Sequence, residues 1–178
     1  MNVSLVRPTA DLQEAYVEFY QEWVASGEDM IPWVIRRDPA DFPKMLQALQ
    51  DDEKTDNLPE GWVPGSTYWL VTEDRRVVGA VNIRHSLTEF LFNCGGHIGY
   101  GIRPSERRKG YATRLLALSL EKARELGIPK ALVVCNADNL ASERTIRNNG
   151  GVQDVDFIEE DGNVNKRFWI DLEETRSV

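Results

Sequence analysis

Residues 103–112 read RPSERRKGYA and gather Arg103, Arg107, Arg108 and Lys109 just ahead of a glycine, in a chain that is acidic overall. Guanidinium and ammonium groups clustered in this way attract phosphate or carboxylate. Gly110 has no side chain, so an anion can approach the backbone closely there. An apolar periodic segment starts directly after it. The first turn of a helix offers unpaired N–H groups and the positive end of the dipole. The residue types therefore describe a cradle for a pyrophosphate-like group. A solvated polar turn with an incidental basic cluster has the same composition, and residue types alone leave the two readings even.

Two other phosphate-binding patterns are excluded. No Gly-x-x-x-x-Gly-Lys-Ser/Thr run occurs. Gly95-Gly96 and Gly99-x-Gly101 do not open a helix as a dinucleotide fingerprint does, because Gly101 lies inside a strand-like run. Metal-type residues are sparse. Cys94 and His97 have Cys-x-x-His spacing, but Cys135 and His85 supply no second tight pair, so no metal is expected. Cys135 ends an apolar strand and reads as core rather than nucleophile. Trp23, Trp33, Trp62, Tyr68 and Trp69 read as core packing, with an acceptor-site wall as the alternative.

The elements that position these residues follow from periodicity. Val3 to Arg7 reads as a strand closed by Pro8, and Thr9 as the cap of a helix with Leu12, Ala15, Tyr16, Phe19, Trp23 and Val24 on one face. Phe42, Met45, Leu46 and Leu49 predict a second helix, followed by a polar loop from Asp51 to Gly65. Thr67–Thr72 and Arg76–Arg84 form a hairpin. His97–Arg103 is a further strand, Gly110–Leu126 the strongest helix, and Lys130–Cys135 a short buried strand. Asn139–Asn149 is a last helix. Val152–Ile158 and Val164–Ile170 flank the turn signal Asp161-Gly162. The order predicts a mixed α/β sheet with helices packed on it.

The chain has 178 residues, a net charge of -8 and 42% hydrophobic residues, which suits one domain with a real core. The acidic surface argues against a broad nucleic-acid face. No apolar run approaches the roughly 18 residues of a membrane span. No signal-peptide pattern opens the chain, and two cysteines suit a reducing compartment, so a cytoplasmic location is expected. A homodimer is compatible with the sequence.

The run Arg107-Arg108-Lys109-Gly110-Tyr111-Ala112 resembles the Gln/Arg-x-x-Gly-x-Gly/Ala motif of the GNAT superfamily of N-acetyltransferases. Its context strengthens the resemblance: a strand ends at Arg103-Pro104, the motif opens a long helix, and a buried strand and an Asn-led helix follow. The string GGHIGYGIRPSERRKGYA…CNADN…NNGG is similar to a bacterial subgroup of predicted acetyltransferases. The resemblance implies a mostly antiparallel mixed sheet with helices on both faces and a splayed parallel strand pair at the cofactor site. It implies one acetyltransferase domain over 1–178. Residues 1–66 would lie on the acceptor side, and 67–178 would form the acyl-CoA-binding core. Acetyl-CoA would be the co-substrate. A primary amine of a small molecule or peptide would attack the thioester directly, without a covalent enzyme intermediate.

Residue roles follow from the same resemblance. Backbone groups of Ile102 and Arg103 would bond the pantetheine arm. The amides from Arg107 through Arg108, Lys109, Gly110 and Tyr111 to Ala112 would hold the pyrophosphate. Asn139 and Ser142 would contact the cofactor arm. The family's usual Tyr, seven residues after the Asn, is Ile146 here, so the usual general acid is missing. Ser142 is then a candidate proton donor. His97, at the start of the cofactor-lining strand, is a candidate general base, with a structural, hydrogen-bonded histidine as the alternative. Glu28, Arg84 and His85 are candidate acceptor-binding residues. The rival readings are a non-catalytic acyl-CoA-binding regulatory module, motivated by Ile146, and an anion-binding structural domain.

Overall fold

The computed structural model describes residues 1–56 and 58–173. Strand β1 (Val3–Val6) leads to Thr9, whose hydroxyl accepts the Asp11 N–H and starts a short turn into helix α1 (Gln13–Ser26). Gly27 ends α1 in the left-handed region at φ 68°, which costs glycine little. In α2 (Phe42–Asp51) the Asp41 carboxylate caps the Lys44 N–H and Pro43 occupies the first turn. Then come β2 (Gly65–Thr72), β3 (Val77–Arg84), β4 (Ile98–Ile102), α3 (Tyr111–Glu125), β5 (Lys130–Asn136), α4 (Leu140–Asn148), β6 (Val152–Gln153), β7 (Phe157–Ile158) and β8 (Val164–Asp171).

Strands β1 to β4 form one antiparallel sheet in sequence order, and β8 is the centre of a second, pairing β5, β6 and β7. Alternation along β2 and β3 gives the first sheet two apolar faces. Trp69, Val71, Val77 and Ala80 pack with Tyr16, Phe19 and Trp23 of α1 and Phe42, Met45 and Leu49 of α2. Tyr68, Leu70, Val81 and Ile83 pack with Leu115 and Leu116 of α3 and Ile146 of α4. The mixed, mostly antiparallel sheet with helices on both faces is therefore the fold the chain adopts.

The two sheets meet at the start of β4 and β5. His97 N–H donates to Leu132 O at 2.7 Å, and a lone bridge of antiparallel sense joins Gly96 to Val133 where Gly96 bends the chain at φ 67°. Helix α3 lies between the two strands in the chain, the strand–helix–strand order that a parallel pair needs. Beyond His97 the described residues of β4 pair only with β3, and those of β5 only with β8. The strands splay.

Two local features depart from the sequence pattern. The expected strand Val152–Ile158 is split, because Asp154 turns its carboxylate to Trp169 Nε1 (2.9 Å) and Arg167 Nη1 (3.2 Å) on β8. A helical turn, Leu91–Gly95, precedes β4. Arg167 Nε holds the Phe92 carbonyl at 2.8 Å, and Arg84 Nη1 holds those of Gly95 and Gly96.

Candidate functional site

The turn before α3 is built to expose amides. Arg108 (φ 62°) and Gly110 (φ 84°) both sit in the left-handed region, and Gly110 caps α3 with no side-chain hydrogen bond. The Arg114 N–H bonds Gly110 O, which leaves the amides of Tyr111, Ala112 and Thr113 without a helical acceptor. Helices α2 and α4 place an Asp or Asn side chain at this position instead. A Cβ added at Gly110 would meet only the Met1 side chain, at 3.4 Å, so the space before the turn is open.

The basic cluster is less uniform than its sequence. Arg107 forms a two-bond pair with Glu28 (3.1 and 2.6 Å), donates to Ile102 O and lies over the Trp23 ring. Lys109 pairs with Glu106. Arg103 turns inward: its guanidinium pairs with Glu22 and donates to Val77 O, and its own N–H bonds Val78 O. Arg103 is thus tied into the sheet and α1, and neither its side chain nor its N–H is left for a cofactor arm. Among the described residues, Arg108 is the cation of this turn with no ion pair.

At the splay, β4 offers an unpaired edge. His97 O and Arg103 N–H both bond to β3, so Ile98, Tyr100 and Ile102 turn their peptide groups toward the gap. The Tyr100 side chain lies on the α3–α4 face, with its hydroxyl 2.8 Å from Ser142 Oγ. Burial pushes the phenol up to about 12, so it keeps its proton at neutral pH. The Ser142 N–H is capped by Asn139 Oδ1 at 3.1 Å. Cys135 adjoins Ser142, and burial raises its thiol to about 11, which leaves it protonated. Ile146 is wholly buried in the core. Tyr100 was not singled out by sequence. Its only local signal is an aromatic hydroxyl between two glycines.

His97 is at the seam. Its Nδ1 accepts the Leu132 N–H at 2.9 Å. Burial and the nearby Arg84 charge push its pKa down to about 4. A neutral ring whose Nδ1 lone pair is already engaged carries its proton on Nε2. It then has no lone pair to take a proton from an amine. The general-base expectation for His97 does not match this geometry; the ring instead pairs the edge of β5 where its neighbour departs.

On the other face of the sheet a cleft of about 420 Å³ opens among Trp33, Trp62, Phe90 and Leu91, with Gly65 of β2 and Asn82 and Arg84 of β3 also lining it. Arg84 is the one acceptor-side candidate that lines it. His85 points to the opposite face, where Nε2 meets Ser66 Oγ at 2.7 Å, and Glu28 is bound to Arg107. Trp23, Tyr68 and Trp69 are core. Among the described residues no three His, Cys, Asp or Glu side chains form a metal-type group, and no helix is long and apolar enough to cross a membrane.

This fold, with its splayed strands and uncapped helix, defines an acyl-CoA-binding acetyltransferase architecture. Residues 3–152 match the family model described as an acetyltransferase (GNAT) domain, and the chain belongs to that family. No curated protein matches it. Its fold is shared with solved structures of low identity. RimJ of Mycobacterium smegmatis, in complex with CoA-disulfide, is 16% identical (98% of this chain, 84% of that chain, TM-score 0.69). The dodecameric spermidine N-acetyltransferase of Vibrio cholerae is 14% identical (99% and 98%, TM-score 0.66). A microcin self-immunity acetyltransferase, in complex with acetyl-CoA and AMP, is 13% identical (95% and 92%, TM-score 0.65). Acetyl-CoA is the co-substrate of this family, and the open, uncapped turn before α3 fits its phosphates.

Proposed function

We propose that this chain transfers the acetyl group of acetyl-CoA to a primary amine of a small molecule or peptide by direct attack. The observation that carries this reading is that a phosphate-type turn and a proton-bearing hydroxyl pair lie on the α3–α4 face of the sheet, while a cleft lined by β2, β3 and the loops around them opens on the other face. The amides of Tyr111, Ala112 and Thr113, with Arg108, hold the pyrophosphate. The peptide group of Tyr100 and the N–H of Ile102 align the arm, and Asn139 reaches it through Nδ2, which its capping role leaves free. Arg107 and Lys109, already paired, act by shaping the turn. The 1–66 segment and the β3–β4 connection together wall the acceptor cleft.

In the reaction the amine nitrogen forms a bond to the thioester carbonyl carbon and the carbon–sulfur bond breaks. The thiolate takes a proton from Tyr100, and water returns one to the phenolate through the Ser142 hydroxyl, which gives up its own proton as it accepts another. This pair replaces the tyrosine that Ile146 displaces. The amine's proton leaves to water, and His97 holds the seam. The test is a thermal-shift and thiol-release assay with acetyl-CoA and a panel of amines. Stabilisation by acetyl-CoA together with amine-dependent thiol release is expected. Stabilisation without release from any amine would make the chain a non-catalytic acyl-CoA-binding module, and no stabilisation at all an anion-binding structural domain.

A further inference from the structure

We infer that the acceptor is an amine that also carries a carboxylate on an apolar or aromatic body, and that Arg84 seats the carboxylate. The inference rests on the acetyl-transfer reading above and names its substrate class.

Arg84 ends β3 on the cleft face. Its Nη1 donates to Gly95 O (3.2 Å) and Gly96 O (3.3 Å), and among the described residues these carbonyls are its side chain's partners. No described carboxylate pairs with it, and burial alone pushes its pKa down. A half-buried cation held only by carbonyls keeps part of its desolvation cost uncompensated by any counter-charge. Its Nε and Nη2 make no hydrogen bond to the described residues. Two such donors side by side form the fork that matches a carboxylate.

The rest of the cleft agrees with an anion at the floor. Asp52, on its wall, is already held by Arg37 through two bonds, and Glu60 is exposed at the rim. A polyamine would meet an unneutralised like charge where it must enter deepest. The walls suit an apolar body: Trp33 and Trp62 stand edge to face at 4.7 Å, with Phe90 and Leu91 beside them. The guanidinium also lies next to β4. A methyl group built on Gly99 would come within 3.4 Å of Arg84 Nη2, so the guanidinium lies directly on bare β4 backbone. Tyr100, the next residue, serves the opposite face. A carboxylate seated on Arg84 would thus hold its amine on the cleft face, beside the backbone of Gly99.

The test compares L-phenylalanine, phenylalaninamide, phenethylamine and spermidine in acetyl-CoA-dependent thiol release by the wild-type chain. Phenylalanine is expected to exceed each of the others in kcat/KM by at least about tenfold. In Arg84→Met its KM should rise at least about tenfold, while the KM for acetyl-CoA holds. Preference for spermidine, phenethylamine or the amide would overturn the inference, as would an equal loss with all four in the variant. The wild-type series decides the matter even where the variant does not fold. Absence of turnover with every amine would instead sink the acetyl-transfer reading. Calorimetry with N-acetylphenylalanine then reads the anion seat separately: binding lost in Arg84→Met supports it, and no binding to wild type overturns it.

Discussion

At the residue scale, two side chains exchange the roles their types suggest. The imidazole of His97 is an acceptor for backbone, and the phenol of Tyr100 carries the available proton. Tyr100→Phe keeps the ring in the core and removes only the hydroxyl. Its kcat is expected to fall about a hundredfold, with the KM for acetyl-CoA changed by less than about twofold; an unchanged kcat would remove Tyr100 from proton transfer. The His97 pKa lies near 4 in the folded chain against an ordinary 6.5, so the unfolded chain binds the proton first. The stability linked to this ring is complete above about pH 6.5 and is lost as pH falls toward 4. His97→Asn keeps an acceptor at the Nδ1 position but does not titrate. Its melting temperature should vary less than wild type between pH 6.5 and 4. His97→Ala leaves the Leu132 N–H unpaired and should cost about 1–3 kcal/mol in urea unfolding. Matching pH slopes in wild type and His97→Asn would place the acid-labile group elsewhere.

At the element scale, the two glycines that flank Tyr100 in β4 differ in what they are needed for. A Cβ at Gly101 would lie 2.0 Å from the Ile31 carbonyl oxygen, whereas one at Gly99 would make ordinary contact with Arg84 and Pro32. Gly101→Ala should therefore lower stability by about 1–3 kcal/mol as the covering loop is forced off, and Gly99→Ala much less. Equal denaturation midpoints for the two variants would contradict this. At the start of α3, Gly110→Val puts a β-branched residue at φ 84° in front of the open amides. Calorimetry should show acetyl-CoA affinity falling at least tenfold, about 1.4 kcal/mol, in a variant that remains folded. The α3 turn was legible in the sequence because its parts are contiguous: strand end, basic run, glycine, apolar period. The helices α1, α2 and α4 were legible for the same reason, α1 and α4 through Thr9 and Asn139 at their starts and α2 through the spacing of Phe42, Met45, Leu46 and Leu49 alone. Features built from distant partners were not. The Tyr100 hydroxyl meets a serine 42 residues away. The break between β6 and β7 depends on Arg167 and Trp169, and the turn at Leu91–Gly95 on two arginines from different sheets. Nothing local marks such contacts, so alternation alone predicts a continuous strand where two short ones form.

Across the whole molecule, α1 is fastened to the turn before α3 rather than to the cleft. Glu22 takes the Arg103 guanidinium and the Ser105 N–H, and Glu28, just past the Gly27 cap, takes Arg107. These links differ in kind. Arg103 is almost fully buried, so Glu22→Ala strands a cation in the core and should cost about 3 kcal/mol. The Arg107–Glu28 pair is exposed on both sides, and its Arg107 hydrogen bonds hold the Glu28 carboxyl below the usual range. Breaking it should leave stability nearly unchanged. Its consequence is electrostatic. In a chain of net charge -8, an acidic group beside the turn opposes the arrival of a multiply charged phosphate ligand and occupies one of the few cations there. Glu28→Gln lifts the net charge by one and frees Arg107. Acetyl-CoA should bind more tightly, by up to about fivefold at low salt, and the gain should shrink as ionic strength rises and the field is screened. The KM for the amine should not move, because the cleft is lined by Arg84 and not by Glu28. Calorimetry with acetyl-CoA at two salt concentrations, beside amine kinetics, separates the two roles: a raised amine KM with unchanged acetyl-CoA affinity would return Glu28 to the acceptor site.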